Sequence, residues 1–263
     1  MIKVNGTVIE QNHFPDGTLL LKTEDFRGYK DSVKIEWHYE SDAELFTIIC
    51  LAKKAPRKEL FLPYIPHARQ DRVKHGEDTF TLRYFAEVIN SLDFETVTVL
   101  DPHSTVSEAL IDRIVIRNPK QYADMAIEAA CAECNCEELI LFFPDEGASK
   151  RYANLFQLPY VFGIKKREWK TGNIQGLDVV DNGFDLQGKN VLIIDDICSR
   201  GGTFYHSAKK LKELGAAKVF LYITHCENTI LEGEVLTGGL IERVFTTDSI
   251  FTKQHEKVEV FKV

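Results

Sequence analysis

The sequence has no apolar run approaching the roughly 20 residues that a membrane-spanning helix needs, and no membrane partner is expected. Cysteine is scarce, with 6 in 263 residues, and shows no disulfide framework, which points to a reducing cytoplasm. The start, Met1 to Glu10, has neither the charged opening nor the apolar stretch of a signal peptide. Positive charge is in deficit: 32 Lys and Arg stand against 40 Asp and Glu, for a net charge of −8. No broad basic face follows from that balance, so nucleic acid is not an expected partner. A phosphorylated small molecule would have to meet local positive charge set against an acidic background. No low-complexity tract or repeat breaks the chain.

Three of the cysteines, Cys131, Cys134 and Cys136, form a CxxCxC cluster. As a zinc site it lacks a fourth ligand nearby, since no His or Cys follows until Cys198. The simpler reading is the end of an Ala-rich helix carrying buried or idle thiols.

What is present is alternation. Leu60–Ile65, Val97–Leu100, Leu139–Phe143, Val191–Ile194 and Val219–Thr224 are short runs rich in Val, Ile, Leu and Phe, too short for helices, and predict buried strands. Between them, Thr81–Ser91, Gln121–Ala132 and Thr203–Leu214 predict helices, the last with Thr203 as N-cap and Gly215 as its stop. Strand–helix–strand alternation predicts an α/β fold with parallel sheets covered by helices. Arg117-Asn118-Pro119 is a turn signal that separates two such sets, giving domains at 1–118 and 119–263. The final segment, Val258–Val263, alternates weakly, and its strand is open to either domain.

In open parallel sheets, ligands bind past the carboxyl ends of the strands. There the sequence is polar: Pro66-His67-Ala68-Arg69-Gln70-Asp71-Arg72, Asp101-Pro102-His103-Ser104, Pro144-Asp145-Glu146-Gly147 and Asp195-Asp196 followed by Ile197-Cys198-Ser199-Arg200-Gly201-Gly202-Thr203. The last cluster is the most specific. Two adjacent carboxylates at a strand end can accept hydrogen bonds from vicinal ribose hydroxyls. The glycine turn behind them opens a helix, where inward N–H groups and the positive end of the helix dipole suit a phosphate.

VLIIDDICSRGGT resembles the phosphoribosyl-diphosphate loop shared by phosphoribosyltransferases and ribose-phosphate pyrophosphokinases. LPYIPHARQDR, Leu62 to Arg72, resembles a segment of the pyrophosphokinases that ordinary phosphoribosyltransferases lack. Looser matches follow in order at Phe14-Pro15-Asp16-Gly17, Asp101-Pro102-His103, Pro144-Asp145 with Gly147, Lys166-Arg167, Thr224-His225 and Thr247-Asp248-Ser249-Ile250. The resemblance implies two phosphoribosyltransferase-like domains, each a mainly parallel sheet flanked by helices, the first binding ATP and the second a ribose phosphate. It also implies transfer of the β,γ-diphosphate of ATP to the 1-hydroxyl of a ribose 5-phosphate moiety, with release of AMP, magnesium as cofactor, a homo-oligomer, and a place in nucleotide biosynthesis.

By the same resemblance, Asp16, Arg69, Gln70, Arg72 and His103 would hold ATP, and His103 and Asp145 would attend Mg2+. Asp145, Asp195, Asp196, Ser199, Arg200, Gly201, Gly202 and Thr203 would hold the ribose phosphate. Lys166, Arg167 and His103 would act in catalysis, the first two on a mobile loop whose cations cover the reacting phosphates. Three positions depart from the pattern: Glu168 replaces a loop arginine, Thr18 replaces a glutamate, and Ser199-Arg200 replaces Asp-Thr in the phosphate loop. Losing an acid and gaining a cation there suits a longer anion, such as the diphosphate of ADP-ribose, tying the chain to NAD metabolism. Ribose 5-phosphate and ADP-ribose are therefore both expected acceptors. A phosphoribosyltransferase and a non-catalytic regulatory relative are the competing readings.

Overall fold

The computed structural model describes residues 1–134, 136–167, 174–180 and 183–263. The chain divides into two compact units, Met1–Asn118 and Pro119–Val263.

In the first unit the elements run β1 (Ile2–Val4), β2 (Thr7–Val8), β3 (Asn12–His13), β4 (Leu19–Leu20), β5 (Val33–Trp37), α1 (Glu44–Lys54), β6 (Lys58–Leu62), α2 (Thr81–Ser91), β7 (Thr96–Leu100), α3 (Val106–Leu110) and β8 (Ile114–Arg117). The sheet order is β2-β1-β5-β6-β7-β8. Strands β5 to β8 are parallel, and β1 runs antiparallel to both its neighbours. Helix α2 forms where it is predicted, because Leu82, Phe85, Ala86 and Ile89 recur at helical spacing and bury one stripe. A polar knot closes the edge of this unit. The buried Glu44 carboxylate accepts from Trp37 Nε1 at 2.9 Å, from the Glu40 backbone N–H at 2.8 Å and from the Met1 ammonium at 2.8 Å.

In the second unit the order is α4 (Lys120–Glu133), β9 (Leu139–Phe143), α5 (Glu146–Tyr152), β10 (Tyr160–Arg167), β11 (Ile174–Val180), β12 (Asn190–Cys198), α6 (Gly202–Glu213), β13 (Lys218–Cys226), α7 (Glu234–Thr237), β14 (Val244–Thr247) and β15 (Val258–Phe261). The sheet order is β11-β10-β9-β12-β13-β14-β15. All pairs are parallel except β10 with β11. The Leu-Ile-Leu-Phe-Phe run of β9 is buried throughout, as a central parallel strand covered on both faces must be. Strand β15 pairs with β14 and so belongs to the second unit.

Three expectations need correction. Strand β12 does not stop at Ile194 but continues through both carboxylates to Cys198, because β13 offers a nine-residue partner whose register runs from Asn190↔Lys218 to Cys198↔Cys226. Helix α6 starts at Gly202, with Gly201 in the left-handed region as its cap, so Thr203 lies inside the helix. The cysteines are not all idle: Cys131 and Cys136 are joined by a disulfide, with Cα atoms 4.6 Å apart across the turn that ends α4. Gly215 stops α6 as expected, at φ 92. Among the described residues no helix is long and apolar enough to cross a membrane.

Removing the Glu44 carboxylate would strand the buried Trp37 N–H and release the part-buried Glu40 N–H and Met1 ammonium. Glu44→Ala should lower the stability of the first unit by about 2–4 kcal/mol, measured as a shift in the denaturant midpoint. Glu44→Gln should lose less.

Candidate functional site

In the first unit, the segments after β6 and β7 are brought together by one carboxylate. Asp71 is buried and accepts from Arg72 Nε at 2.6 Å and Nη2 at 2.8 Å. It also accepts from the Ser104 hydroxyl, and His103 lies close by. The Arg72 guanidinium outweighs burial, and with Ser104 and His103 it pulls the Asp71 carboxyl down to about 2. Two non-glycine residues with positive φ redirect the chain where these segments begin, His67 at 64° and Asp101 at 42°. Such conformations are uncommon outside glycine and cluster where a site needs the chain re-aimed. Gln70 is tied to the start of α2, since Thr81 Oγ1 donates to its side-chain oxygen at 2.9 Å. Arg69, Gln70, Arg72 and His103 are exposed, so the polar groups of both segments face solvent from one braced platform.

Asp16 stands at the tip of the β3–β4 hairpin. It accepts from the Thr18 N–H at 3.0 Å and the Thr18 hydroxyl at 2.7 Å, which hold its carboxyl below the usual range. Thr18 and Gly17 line a cleft of about 530 Å³ with Gln11, His13, Glu40 and Phe46.

In the second unit, Asp145 caps α5 by accepting from the Ala148 N–H at 3.0 Å. That short helix aims Arg151 at the paired carboxylates. Arg151 Nη1 lies 3.2 Å from Asp196 Oδ2, and Nη2 lies 3.9 Å from Asp195 Oδ1. Asp196 is 5% exposed and Asp195 18%. Burial, then the neighbouring Asp196, pushes the Asp195 carboxyl well above the ordinary range, and Arg151 opposes the rise.

Beyond the carboxylates the loop turns sharply. Gly201 sits at φ 76, and a side chain there would strike Val235. Gly233 presses on the Arg200 carbonyl, where a Cβ would overlap the oxygen. The Phe204 and Tyr205 N–H groups donate to the Gly201 carbonyl at 2.9 Å, whereas Gly202 and Thr203 are exposed at the start of α6. Arg200 reaches sideways, with Nη2 3.0 Å from Glu232 Oε2 and the guanidinium 73% exposed.

The structure thus assembles Arg69, Gln70, Asp71, Arg72 and His103 in one unit, and Asp195 to Thr203 beside Asp145's helix in the other. Lys166 and Arg167 are the last residues of β10, paired with Gly176 and Ile174 of β11, rather than part of a loop. Their side chains, and Glu168, lie outside the described residues. Thr224-His225 and Thr247–Ile250 form a bracing cluster instead of a surface. His225 Nδ1 and Ser249 Oγ are 2.9 Å apart, and Thr247 Oγ1 donates to the Thr224 carbonyl at 2.6 Å, all fully buried. Sequence reasoning missed Asp71 as the hub, Arg151, Glu232 and Gly233; only the basic pair Lys150-Arg151 closing the helix after Asp145 offered a cue. Among the described residues no three His, Cys, Asp or Glu side chains form a metal-binding group.

No family model matches the chain. A ribose-phosphate pyrophosphokinase of Marinomonas sp. (strain MWYL1) is 29% identical over 74% of this chain and 62% of its own length. The chain therefore spans less than two thirds of that relative. A ribose-phosphate pyrophosphokinase of Pyrococcus abyssi is 31% identical over 90% of this chain and 79% of its own length. The crystal structure of phosphoribosylpyrophosphate synthetase from Mycobacterium smegmatis superposes with a TM-score of 0.76, covering 97% of this chain and 86% of that one at 21% identity. This likeness concerns the fold.

Ionising Asp195 opposes folding at neutral pH, because its carboxyl is raised in the folded state. Asp195→Asn should therefore melt about 2–4 °C above the wild type at pH 7, for about 1 kcal/mol. The gain should vanish as pH falls and the acid is protonated in both states. A thermal melt at pH 7 and at about pH 3, below the unfolded carboxyl value, checks both halves. Gly233→Ala should cost about 1–3 kcal/mol, seen in the same melt.

Proposed function

Since the chain belongs to the ribose-phosphate pyrophosphokinase family, we propose that it transfers the β,γ-diphosphate of ATP to the 1-hydroxyl of a ribose 5-phosphate moiety and releases AMP. The observation that carries this reading is the conjunction of paired carboxylates and a glycine turn at one sheet edge. Asp195 and Asp196 would accept from the 2- and 3-hydroxyls, and the backbone of Gly201 to Thr203 would receive the 5-phosphate at the start of α6. Ser199 would donate its hydroxyl from the same turn.

Arg69, Gln70 and Arg72 would hold ATP, with the guanidinium groups on phosphate oxygens and the Gln70 amide on the nucleoside. Asp71 aims Arg72 and is itself not a ligand, because Arg72 and Ser104 already occupy it. Asp16 would contact the nucleotide from its hairpin. Lys166 and Arg167 would neutralise charge that develops on the transferring group, a task of positioning and electrostatics.

His103 is exposed and Asp145 keeps a half-buried carboxylate at a helix start, so both suit a cation that retains several waters. These residues would attend Mg2+, which would supply charge neutralisation on the ATP phosphates.

ADP-ribose is the second acceptor to consider, and Arg200 favours it. Its exposed guanidinium, held beside the turn by Glu232, would meet the second phosphate of a diphosphate. A homo-oligomer, a cytoplasmic setting and a role in nucleotide or NAD metabolism complete the proposal.

The deciding experiment incubates the chain with Mg–ATP and each acceptor and follows AMP by chromatography. AMP release with at least one acceptor is expected, and none with either would sink the enzyme reading. Consumption of phosphoribosyl diphosphate with a free base and no ATP would favour a phosphoribosyltransferase. His103→Ala and Lys166→Ala should each lower turnover about 100-fold or more. Unchanged turnover in both would overturn the assignment of these residues, whereas a wild type without turnover would favour the non-catalytic regulatory relative. Arg200→Ala should weaken use of ADP-ribose about 10-fold while leaving ribose 5-phosphate within about threefold.

A further inference from the structure

The paired carboxylates raise a question that the proposed chemistry leaves open. Vicinal ribose hydroxyls are two donors, and they need two acceptors. A protonated carboxylic acid presents a donor in place of one acceptor. Side by side and mostly buried, Asp195 and Asp196 resist carrying two charges at once.

Arg151 is the cation placed to relieve this. Its guanidinium spans the pair, 3.2 Å from Asp196 and 3.9 Å from Asp195. It is 28% exposed, so its field reaches the carboxylates with little screening by water. Its direction is set from behind: Nη2 donates to the Tyr152 hydroxyl, and the guanidinium lies 4.8 Å from the centre of the Tyr152 ring. Tyr152 is 1% exposed and packs against Phe143 of β9, so the brace is anchored in the core.

We infer that Arg151 is a positioning residue of the acceptor site, which keeps Asp195 and Asp196 both available as hydrogen-bond acceptors for the vicinal hydroxyls of the ribose. It acts through the carboxylates, while the glycine turn handles the phosphate. The inference rests on the ribose-phosphate reading of the same site, and it extends that reading to a residue on another element.

The test measures acceptor binding by titration calorimetry on the full chain without ATP, using ribose 5-phosphate and ADP-ribose, and steady-state AMP release with Mg–ATP. Arg151→Gln should weaken acceptor binding and raise the acceptor KM about 10–100-fold, leaving the KM for ATP within about twofold. Arg151→Lys should recover most of that loss, because a charge at this place matters more than the guanidinium shape. Tyr152→Phe should weaken acceptor binding about threefold by loosening the brace. A wild type that binds an acceptor, with Arg151→Gln binding it equally well, overturns this inference alone. So does a loss confined to kcat, with acceptor binding intact. If Arg151→Gln does not fold, acceptor binding by Tyr152→Phe as tight as the wild type's overturns it as well. A wild type that binds neither acceptor overturns the ribose-phosphate reading together with this inference.

Discussion

Two carboxylates held side by side at the edge of an apolar sheet repel each other, and the second unit is arranged around that repulsion. β9, β12 and β13 are apolar almost throughout, so Asp195 and Asp196 leave a dry core just where the sheet opens. Water reaches Asp195 and barely reaches Asp196. Among the described residues, the cation that meets them is Arg151, delivered by a short helix whose start is fixed by Asp145. The same carboxylates that destabilise the fold are the groups best suited to grip a ribose. Strain of this kind is what a binding site retains when stability alone would remove it.

Much of this was legible in the sequence because it is written in local pattern. The apolar runs behind β6, β7, β9, β12 and β13 are too short for helices and too continuous for half-exposed strands. The stripe on α2 and the stop at Gly215 follow from spacing and from the one residue that tolerates a left-handed turn. The position of Asp195, Asp196 and the glycine turn at a sheet edge followed from the rule that ligands gather at strand ends. The antiparallel pairing of β10 and β11 was not legible: Tyr160–Ile164 gave an apolar stretch, but nothing local says that Lys166 and Arg167 continue it in pairing with residues ten and seven positions on.

The less legible features all depend on contacts between distant residues. That β12 runs past its carboxylates is decided by the length of β13, about 30 residues later. The helix start at Gly202 rather than Thr203 is decided by Gly201, which must be bare because Val235 packs against it. Gly233 is bare because the Arg200 carbonyl fills its space. Those two contacts come from the segment after β13, so the shape of the glycine turn is imposed from outside its own motif. The disulfide between Cys131 and Cys136 is similar. The spacing gave a cluster of thiols, and only the turn that ends α4 brings two of them together.

To serve the proposed chemistry an acidic chain would have to localise its positive charge, and three arginines near the candidate sites each have an acid beside them. Arg72 rests on Asp71, Arg200 on Glu232, and Arg151 on Asp195 and Asp196. These pairs are not equivalent. Arg200 and Glu232 are exposed, so their attraction is weak and a phosphate can take the guanidinium over at little cost. Asp71 is buried and bonded to Ser104 as well, so Arg72 stays put and offers the edge it does not share. Arg151 faces carboxylates that cannot leave, and it has no reason to leave them. The gradation from exposed to buried partner therefore sorts the three arginines by role. In the proposed chemistry the first would change partners with the ligand, the second would present itself from a fixed mount, and the third would serve the acids that hold the sugar.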